Sequence, residues 1–488
     1  VRSSRIALLL AAATTATVFS ALALPTAPAA EDHLSQYVSQ KPAWHRCASE
    51  QPAAYQCATI KVPLDYSRPG GKKLDLAISR WKTSTRNERH GVLLLNPGGP
   101  GSPGIDVPEL MANELLPKAV RRKYDLVGFD PRGIGRSSPV DCGLTPREQK
   151  WERAYKAGTF AKDVKWARTF AEKCYAKQGD KLRHITTRNT ARDMDVIRAV
   201  LGEKKISYLE LSYGTYLGAV YTQLFPQRSD RFVLDSAVDP ARLWRGVFQL
   251  WAQDSESAFT RWTKWTARHN STYRLGKTPE AVRQTFYDLV ARADRKPIDF
   301  DGSELTGADV RAESRAMFYD AREGAEMVVE LKKAAEERGL SDSPTESGDN
   351  EVTGLWSVVC GDTGRDWPRD PERYRSDALR DKGRYPLYGD IASHIKPCAF
   401  WKTTGGEPAT KIDNTAGALI LQNQWDSQTP LSGAEGLHRV LKGSKMVTVA
   451  GGVGHGIYGR RSCADKTATA YLTTGKLPAK DVTCKATP

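Results

Sequence analysis

The sequence predicts an α/β protein built on a mostly parallel sheet with helices on both faces, and two observations carry that prediction. Short apolar runs recur along the chain and, from the third onward, are continuous rather than alternating, as strands buried on both faces must be. Helix-period segments stand between them, as crossovers between parallel strands require. With 488 residues, 40% of them hydrophobic, the chain can bury a sizeable core and divide into two or three units.

Taken in order, the chain opens with Val1-Arg2-Ser3-Ser4-Arg5, the apolar run IALLLAAATTATVFSALAL and the small-residue stretch Ala27-Pro28-Ala29-Ala30. Basic, apolar and small residues in that order predict a secretory signal over 1–30 and therefore an exported protein. The Thr-rich middle and the cleavage-like end argue against a membrane anchor. The strands follow as ATIKVPLDY (58–66), LDLAISRW (74–81), GVLLLN (91–96), YDLVGFD (124–130), SYLELS (207–212) and RFVLDS (231–236), with the helix TARDMDVIRAVLG (190–202) ahead of the fifth. From about 240 clean strands disappear, and segments such as LWRGVFQLWAQDSESAFTRWTKWTARH and AREGAEMVVELKKAAEERG show a helical period. GALILQNQ (417–424) and KMVTVAG (445–451) then resume the sheet, for eight strands in all. Residues 240–405 therefore read as a helical insertion after the sixth strand, with 31–239 and 406–488 as the two parts of the sheet unit. Within the insertion, SDSPTESGDN (341–350) reads as a loop, and Trp244, Trp251, Trp262 and Trp265, at helical spacing, predict a buried helix face.

The formal net charge is +15, yet it is scattered. Arg121-Arg122-Lys123 and Lys332-Lys333 have acids nearby and no interleaved aromatics, so nucleic acid is not a predicted partner. Eight cysteines, Cys47, Cys57, Cys142, Cys174, Cys360, Cys398, Cys463 and Cys484, none of them in a CxxC, predict disulfides in an exported chain rather than metal ligands. Eight cysteines allow 105 pairings. Pairing in sequence order, which closes short or moderate loops, is the expectation.

A serine hydroxyl is a weak nucleophile until a base takes its proton, and the base needs a third group to hold its tautomer. Ser212 stands where the fifth run meets a helix, in ISYLELSYGTYLGAV. Asp426 follows the seventh run in LILQNQWDSQTPL, and His455 sits in a glycine-rich loop after the eighth, in VTVAGGVGHGIYG. Serine, acid and histidine after three strand ends, in that chain order, are the candidate nucleophile, orienting acid and general base of a hydrolase, a chemistry that calls for neither metal nor cofactor. Asp235 and Asp239, after the sixth run, are rivals for the acid. Asp130 and Arg132 in GFDPRGIGRSS read instead as loop-holding residues, through an ion pair or backbone hydrogen bonds.

An oxyanion needs donors preset in a site that excludes water. The loop LLLNPGGPGSPG (93–104) follows the third run, and its Gly98-Gly99 lets backbone approach a substrate with no Cβ in the way. The Gly99 and Tyr213 amides are the assigned pair. A phosphate cradle is excluded because the GxGxxG spacing and the Gly-Lys-Ser/Thr ending are missing, and Pro100 and Pro103 remove donors. Glu210 occupies the place of the first glycine of G-x-S-x-G. Such a carboxylate either points into the site, to meet a substrate amine or tune His455, or imposes a different packing on the turn.

The stretches NPGGPG, YDLVGFDPRGIGRSS, SYGTYLGAVY, the VDP after the sixth run, TPLSGA and GHGIY together resemble the prolyl-iminopeptidase-like serine peptidases of the α/β-hydrolase fold. More closely they resemble the secreted tripeptidyl aminopeptidases and mycelium-associated peptidases of filamentous actinobacteria. The likeness runs from about residue 40 to the C-terminus and is weakest in the insertion. It implies an exopeptidase that takes short peptides, tripeptides foremost, from free N-termini of peptides or proteins, with the insertion as a cap that restricts entry. A monomer outside the cell or at the cell wall, with no membrane span once the signal is removed, is the expectation. The likeness also implies that cap acids bind the substrate ammonium, for which Asp362 in VVCGDTG and Glu351 are the candidates, with Glu210 beside the serine as a third candidate outside the cap. Two alternatives stand beside this reading: an esterase on small acyl substrates, since the same machinery cleaves both bonds, and a non-catalytic binding protein of the same fold, kept open by Glu210.

Overall fold

The computed structural model describes residues 29–300, 302–336, 349–402 and 405–486. All but the last two residues of the expected signal, and all but the last two of the 341–350 loop, lie outside them. Among the described residues twelve strands are formed: β1 (His45–Arg46), β2 (Tyr55–Pro63), β3 (Lys73–Trp81), β4 (Gly91–Asn96), β5 (Tyr124–Phe129), β6 (Ile206–Ser212), β7 (Ser229–Ala237), β8 (Ile298–Phe300), β9 (Ser303–Leu305), β10 (Ala418–Trp425), β11 (Lys445–Val453) and β12 (Val482–Lys485). Ten of them make one sheet in the order β1-β2-β3-β5-β4-β6-β7-β10-β11-β12. β1, β2, β3 and β5 pair antiparallel, and every pairing from β5 to β12 is parallel.

The sheet thus has two strands more than the eight expected, and both are edge strands. β1 is two exposed residues, and β12 is a four-residue strand with no fully buried position, so neither carries an apolar run. The interior strands do. In β4 every residue is buried, and successive side chains serve opposite faces: Val92 and Leu94 join one core while Leu93 and Leu95 join the other. Burying each such side chain is worth about 1.5–3 kcal/mol. The first face is covered by Phe170, Ile197, Tyr216, Leu217 and Leu437 from four helices, the second by Val120, Tyr471 and Leu472.

Because β4, β6, β7, β10 and β11 run in one direction, their carboxyl ends lie along one edge. The chain order reverses between β4 and β6, and a crevice opens at such a switch point. The ends of these strands and the loops that leave them carry Gly99, Ser212, Asp235, Asp426 and His455.

Between β7 and β10 the chain is mainly helical, over Arg245–Arg268, Pro279–Arg295, Gly307–Met317, Ala321–Glu336, Asn350–Thr363 and Pro371–Arg384. The β8–β9 hairpin inside it was not expected; two three-residue strands leave no readable alternation. Thr278 and Thr306 start two of the helices by accepting from Ala281 N and Asp309 N, the second within a capping box. Phe259, Trp262, Phe286, Phe318 and Val328 form a core of their own, with Trp262 stacked 4.5 Å from Phe318. The two ends of the insertion behave differently: Trp244, Phe248, Trp356 and Trp367 pack into the sheet-side core. The cap is therefore seated on the sheet unit through aromatic residues.

Four disulfides, Cys47–Cys57, Cys142–Cys174, Cys360–Cys398 and Cys463–Cys484, join neighbours in sequence order. Among the described residues no helix is long and apolar enough to cross a membrane.

Candidate active site

Ser212 ends β6 with φ 60° and ψ −126°, a conformation a side chain rarely takes, and the helix Tyr213–Leu224 begins at the next residue. Such a strained strand-to-helix turn lifts a hydroxyl above the sheet edge. Two contacts pin it. The Thr215 hydroxyl donates to Ser212 O at 2.7 Å and accepts from Val238 N at 3.0 Å, which ties the turn to the segment after β7. Gly98, with φ +90°, lies so close that an added Cβ would come 3.0 Å from Leu211 O and 3.4 Å from Ser212 Cβ. Glycine is what lets this loop rest on the turn, and the Asn96 side chain holds it there by accepting from Gly98 N at 3.1 Å.

Asp426, buried at the end of β10, uses both oxygens. Oδ1 accepts from Gln428 N at 2.8 Å and Thr429 N at 3.0 Å; Oδ2 accepts from Thr429 Oγ1 at 3.0 Å and pairs with His455 Nδ1 at 2.9 Å. Thr429 Oγ1 also lies 3.3 Å from His455 Nδ1, so this residue, the first of the TPLSGA stretch and not among the expected site residues, braces acid and imidazole together. Burial works against a charged His455 ring, but the charge and hydrogen bond of Asp426, with Asp235 beyond, outweigh it and raise the pKa above the ordinary histidine value.

The rival acids have other duties. Asp235 Oδ2 accepts from Ile457 N and Tyr458 N at 2.8 Å each, and the Ser236 hydroxyl accepts from Gly456 N at 2.9 Å, so the end of β7 holds the loop that carries His455. Asp239 caps the turn after β7 by accepting from Ala241 N at 2.9 Å. Asp130 accepts from Gly104 N at 2.7 Å, Ile105 N at 3.0 Å and Arg136 N at 2.8 Å, which fixes the far end of the Gly98 loop. Its expected companion Arg132 turns away to a buried bidentate pair with Asp193, at 2.7 and 2.6 Å.

Ser212, Tyr213, Gly99 and His455 all line one cavity of about 550 Å³. No hydrogen bond joins Ser212 to His455 in this conformation; such bonds often tighten only when substrate binds. The cavity wall is aromatic, with Trp151, Trp244, Phe248, Trp251 and Tyr319. Of the tryptophans, Trp244 and Trp262 are buried as expected, although Trp244 also lines the cavity; Trp251 is half-buried and lines it too, its indole donating to Gln428 O at 2.6 Å beside Asp426.

Of the three acids expected at the substrate amine, the structure brings only Glu351 to this cavity, where it accepts from the Ser102 hydroxyl at 3.5 Å. Glu210 and Asp362 do not line it. Glu210 is buried behind the turn, and neither carboxyl oxygen has a hydrogen-bond partner. Burial raises its pKa well above the carboxylate range, offset only in part by the nearby Asn96 amide and Tyr208 hydroxyl. Asp362 is bonded into the protein interior, and burial pushes its pKa up to about 6. A larger cavity of about 860 Å³, bounded by Tyr66, Arg188, Arg192, Tyr216, Asp362 and Glu407 among others, includes none of Ser212, Asp426 and His455. Among the described residues no group of three or more His, Cys, Asp and Glu side chains is placed to hold a metal ion.

Comparison with known proteins adds independent findings. A family model described as alpha/beta hydrolase fold matches residues 91–299, and one described as TAP-like protein matches residues 385–484. A tripeptidyl aminopeptidase of Streptomyces lividans is 36% identical, over 90% of this chain and 86% of its own. The serine protease Hip1 of Mycobacterium tuberculosis is 29% identical, over 93% of this chain and 92% of its own, and carboxylesterase B of the same species is 27% identical, over 92% and 90%.

Proposed function

The chain belongs to the tripeptidyl aminopeptidase family of α/β-hydrolases, and on that footing we propose that it is an exported serine exopeptidase, releasing short peptides, tripeptides foremost, from free N-termini through an acyl-enzyme. The observation that carries this reading is the shared cavity: a strained serine, an imidazole paired with a buried carboxylate, and the residues of the two candidate oxyanion amides line one space, together with residues of the insertion.

In the mechanism the neutral His455 ring takes the Ser212 proton on Nε2 as Oγ attacks the carbonyl carbon of the scissile bond. Asp426 keeps the other ring proton on Nδ1 and stabilises the imidazolium that forms. The oxygen that becomes negative is met by the Gly99 and Tyr213 amides. Tyr213 N–H is free for this duty because the first amides of a helix have no intrahelical acceptor, and removing one good donor of this kind costs about 3 kcal/mol of transition-state stabilisation. His455 then returns the proton to the leaving amine, and water repeats the sequence on the acyl-enzyme. Glu351, in the cavity wall, is the carboxylate proposed to meet the substrate ammonium and so to favour chain ends over internal bonds.

The test offers the purified protein tripeptidyl and single-residue aminoacyl chromogenic amides, their N-acetylated forms and a short-chain ester, beside Ser212→Ala. Turnover of free-amine peptides that is lost in Ser212→Ala is the expected result. Ester turnover with no amide turnover gives the esterase, a reading favoured by the relative named carboxylesterase B. Failure of a fluorophosphonate to label Ser212 leaves a binding protein.

A further inference from the structure

Asp362 is a buried carboxylate outside the cavity whose bonds reach two residues that line it. It sits in the last turn of the cap helix Asn350–Thr363, yet all its hydrogen-bond partners lie outside that helix. Oδ1 accepts from Thr187 N at 2.8 Å, and Oδ2 accepts from the Thr187 hydroxyl at 2.6 Å and from the Trp244 indole N–H at 3.2 Å. The Thr187 hydroxyl has one proton, which goes to Asp362, so in the 3.0 Å contact between Thr187 and Tyr213 the tyrosine hydroxyl is the donor. A directed chain results, from Tyr213 through Thr187 to Asp362, with Trp244 bonded to the same oxygen.

The two aromatic ends of this chain are walls of the cavity that holds Ser212. Their rings lie 5.7 Å apart, and Trp244 also meets Tyr216 edge-on at 5.8 Å. Tyr213 is in addition the residue whose amide is assigned to the oxyanion. One buried carboxylate from the cap therefore fixes two side chains beside the nucleophile, which belong to the helix after β6 and to the start of the insertion. A carboxylate used only to cap the helix Thr187–Val200 would need the Thr187 amide alone.

We propose that Asp362 is a positioning residue for the reaction, which holds the Trp244 indole and the Tyr213 ring in place and so sets the shape of the wall against which the substrate acyl group rests. The inference builds on the reading of this cavity as the substrate site of a serine hydrolase.

The test compares Asp362→Asn, Asp362→Ala and Trp244→Phe in the full chain, with active sites counted by fluorophosphonate labelling. An asparagine still accepts from Thr187 N but turns its NH2 toward the Trp244 indole and the Thr187 hydroxyl, so a purely structural cap is kept while the indole bond is lost and the Thr187 hydroxyl has to accept instead of donate. Asp362→Asn is expected to keep its melting temperature within a few degrees yet raise KM about tenfold, with kcat and labelling rate changed far less, as loss of one hydrogen bond to a charged group predicts. Trp244→Phe, which removes only the indole donor, is expected to raise KM similarly, and the double variant is expected to add little. Should Asp362→Ala fail to fold, this pair decides the matter. An Asp362→Asn protein with wild-type KM, or KM effects that simply multiply in the double variant, overturns the inference. If the wild type cleaves the ester and no peptide, the exopeptidase reading fails, and the same comparison of KM on the ester still decides the role of Asp362.

Discussion

The carboxyl of Glu210 lies against the α-carbon of Gly214, so close that a Cβ on Gly214 would fall 1.4 Å from Glu210 Oε2. The strand residue two before the serine is ordinarily small, so that strand and helix pack tightly around the turn. Here an acid fills the space, and the missing side chain of Gly214 gives it room. The turn is built around the carboxyl rather than displaced by it, which answers how Ser212 keeps its strained conformation with Glu210 in the preceding strand.

Gly214→Ala is expected to destabilise the protein by about 1–3 kcal/mol, since the new methyl group overpacks a filled site. Glu210→Ala should relieve most of that loss when the two are combined. Urea unfolding of the two single variants and the double variant measures it, and strictly additive losses would show that the two side chains do not compete for one space.

Glu210→Gln is expected to change how stability responds to pH. The folded state holds the Glu210 proton to a higher pH than the unfolded chain does. Stability from this group is therefore complete below the ordinary glutamate pKa and declines as pH rises toward the folded value, by up to about 1.4 kcal/mol per pH unit. Glutamine has no proton to lose, so its stability relative to wild type should climb from pH 4 to pH 8. A difference that stays flat across that range would count against a buried, protonated Glu210.

The acid limb of kcat/KM should fall at a pH above the ordinary histidine value, because His455 must be neutral to act and Asp426 favours its charged form. Asp426→Asn removes that charge, so the limb should move to lower pH while the rate drops by up to about 10⁴-fold through loss of the correct tautomer. Profiles on one tripeptidyl amide suffice, and an unmoved limb would mean that some other group sets it.

Glu351→Gln is expected to raise KM about tenfold for peptides with a free amine and to leave N-acetylated peptides unchanged, as loss of a charge-assisted hydrogen bond predicts. Equal effects on both substrates would remove Glu351 from amine recognition.

Much of this architecture could be read from the chain. β4, β5, β6, β7 and β10 bury most of their residues on both faces, so their apolar runs announce them, and the candidates Ser212, Asp426 and His455 stand out because each ends or follows an apolar run. β1, β8, β9 and β12 went unseen because strands of two to four residues have too few buried positions to make a pattern. The cavity wall was not legible either: Trp151, Phe248 and Tyr319 come from three distant segments and share no spacing. In the sequence Asp362 is an acid two residues after a cysteine, but its partners Thr187 and Trp244 are 175 and 118 residues away, so nothing local distinguishes a substrate ligand from an interior brace.

Every bridge in the structure links a cysteine to the next one along the chain. A polypeptide that emerges amino end first into an oxidising space therefore always finds the right partner as its nearest waiting thiol: Cys57 meets only Cys47, and each later pair appears after the earlier one has closed. In such an emergence no earlier bridge has to open for a later one to form.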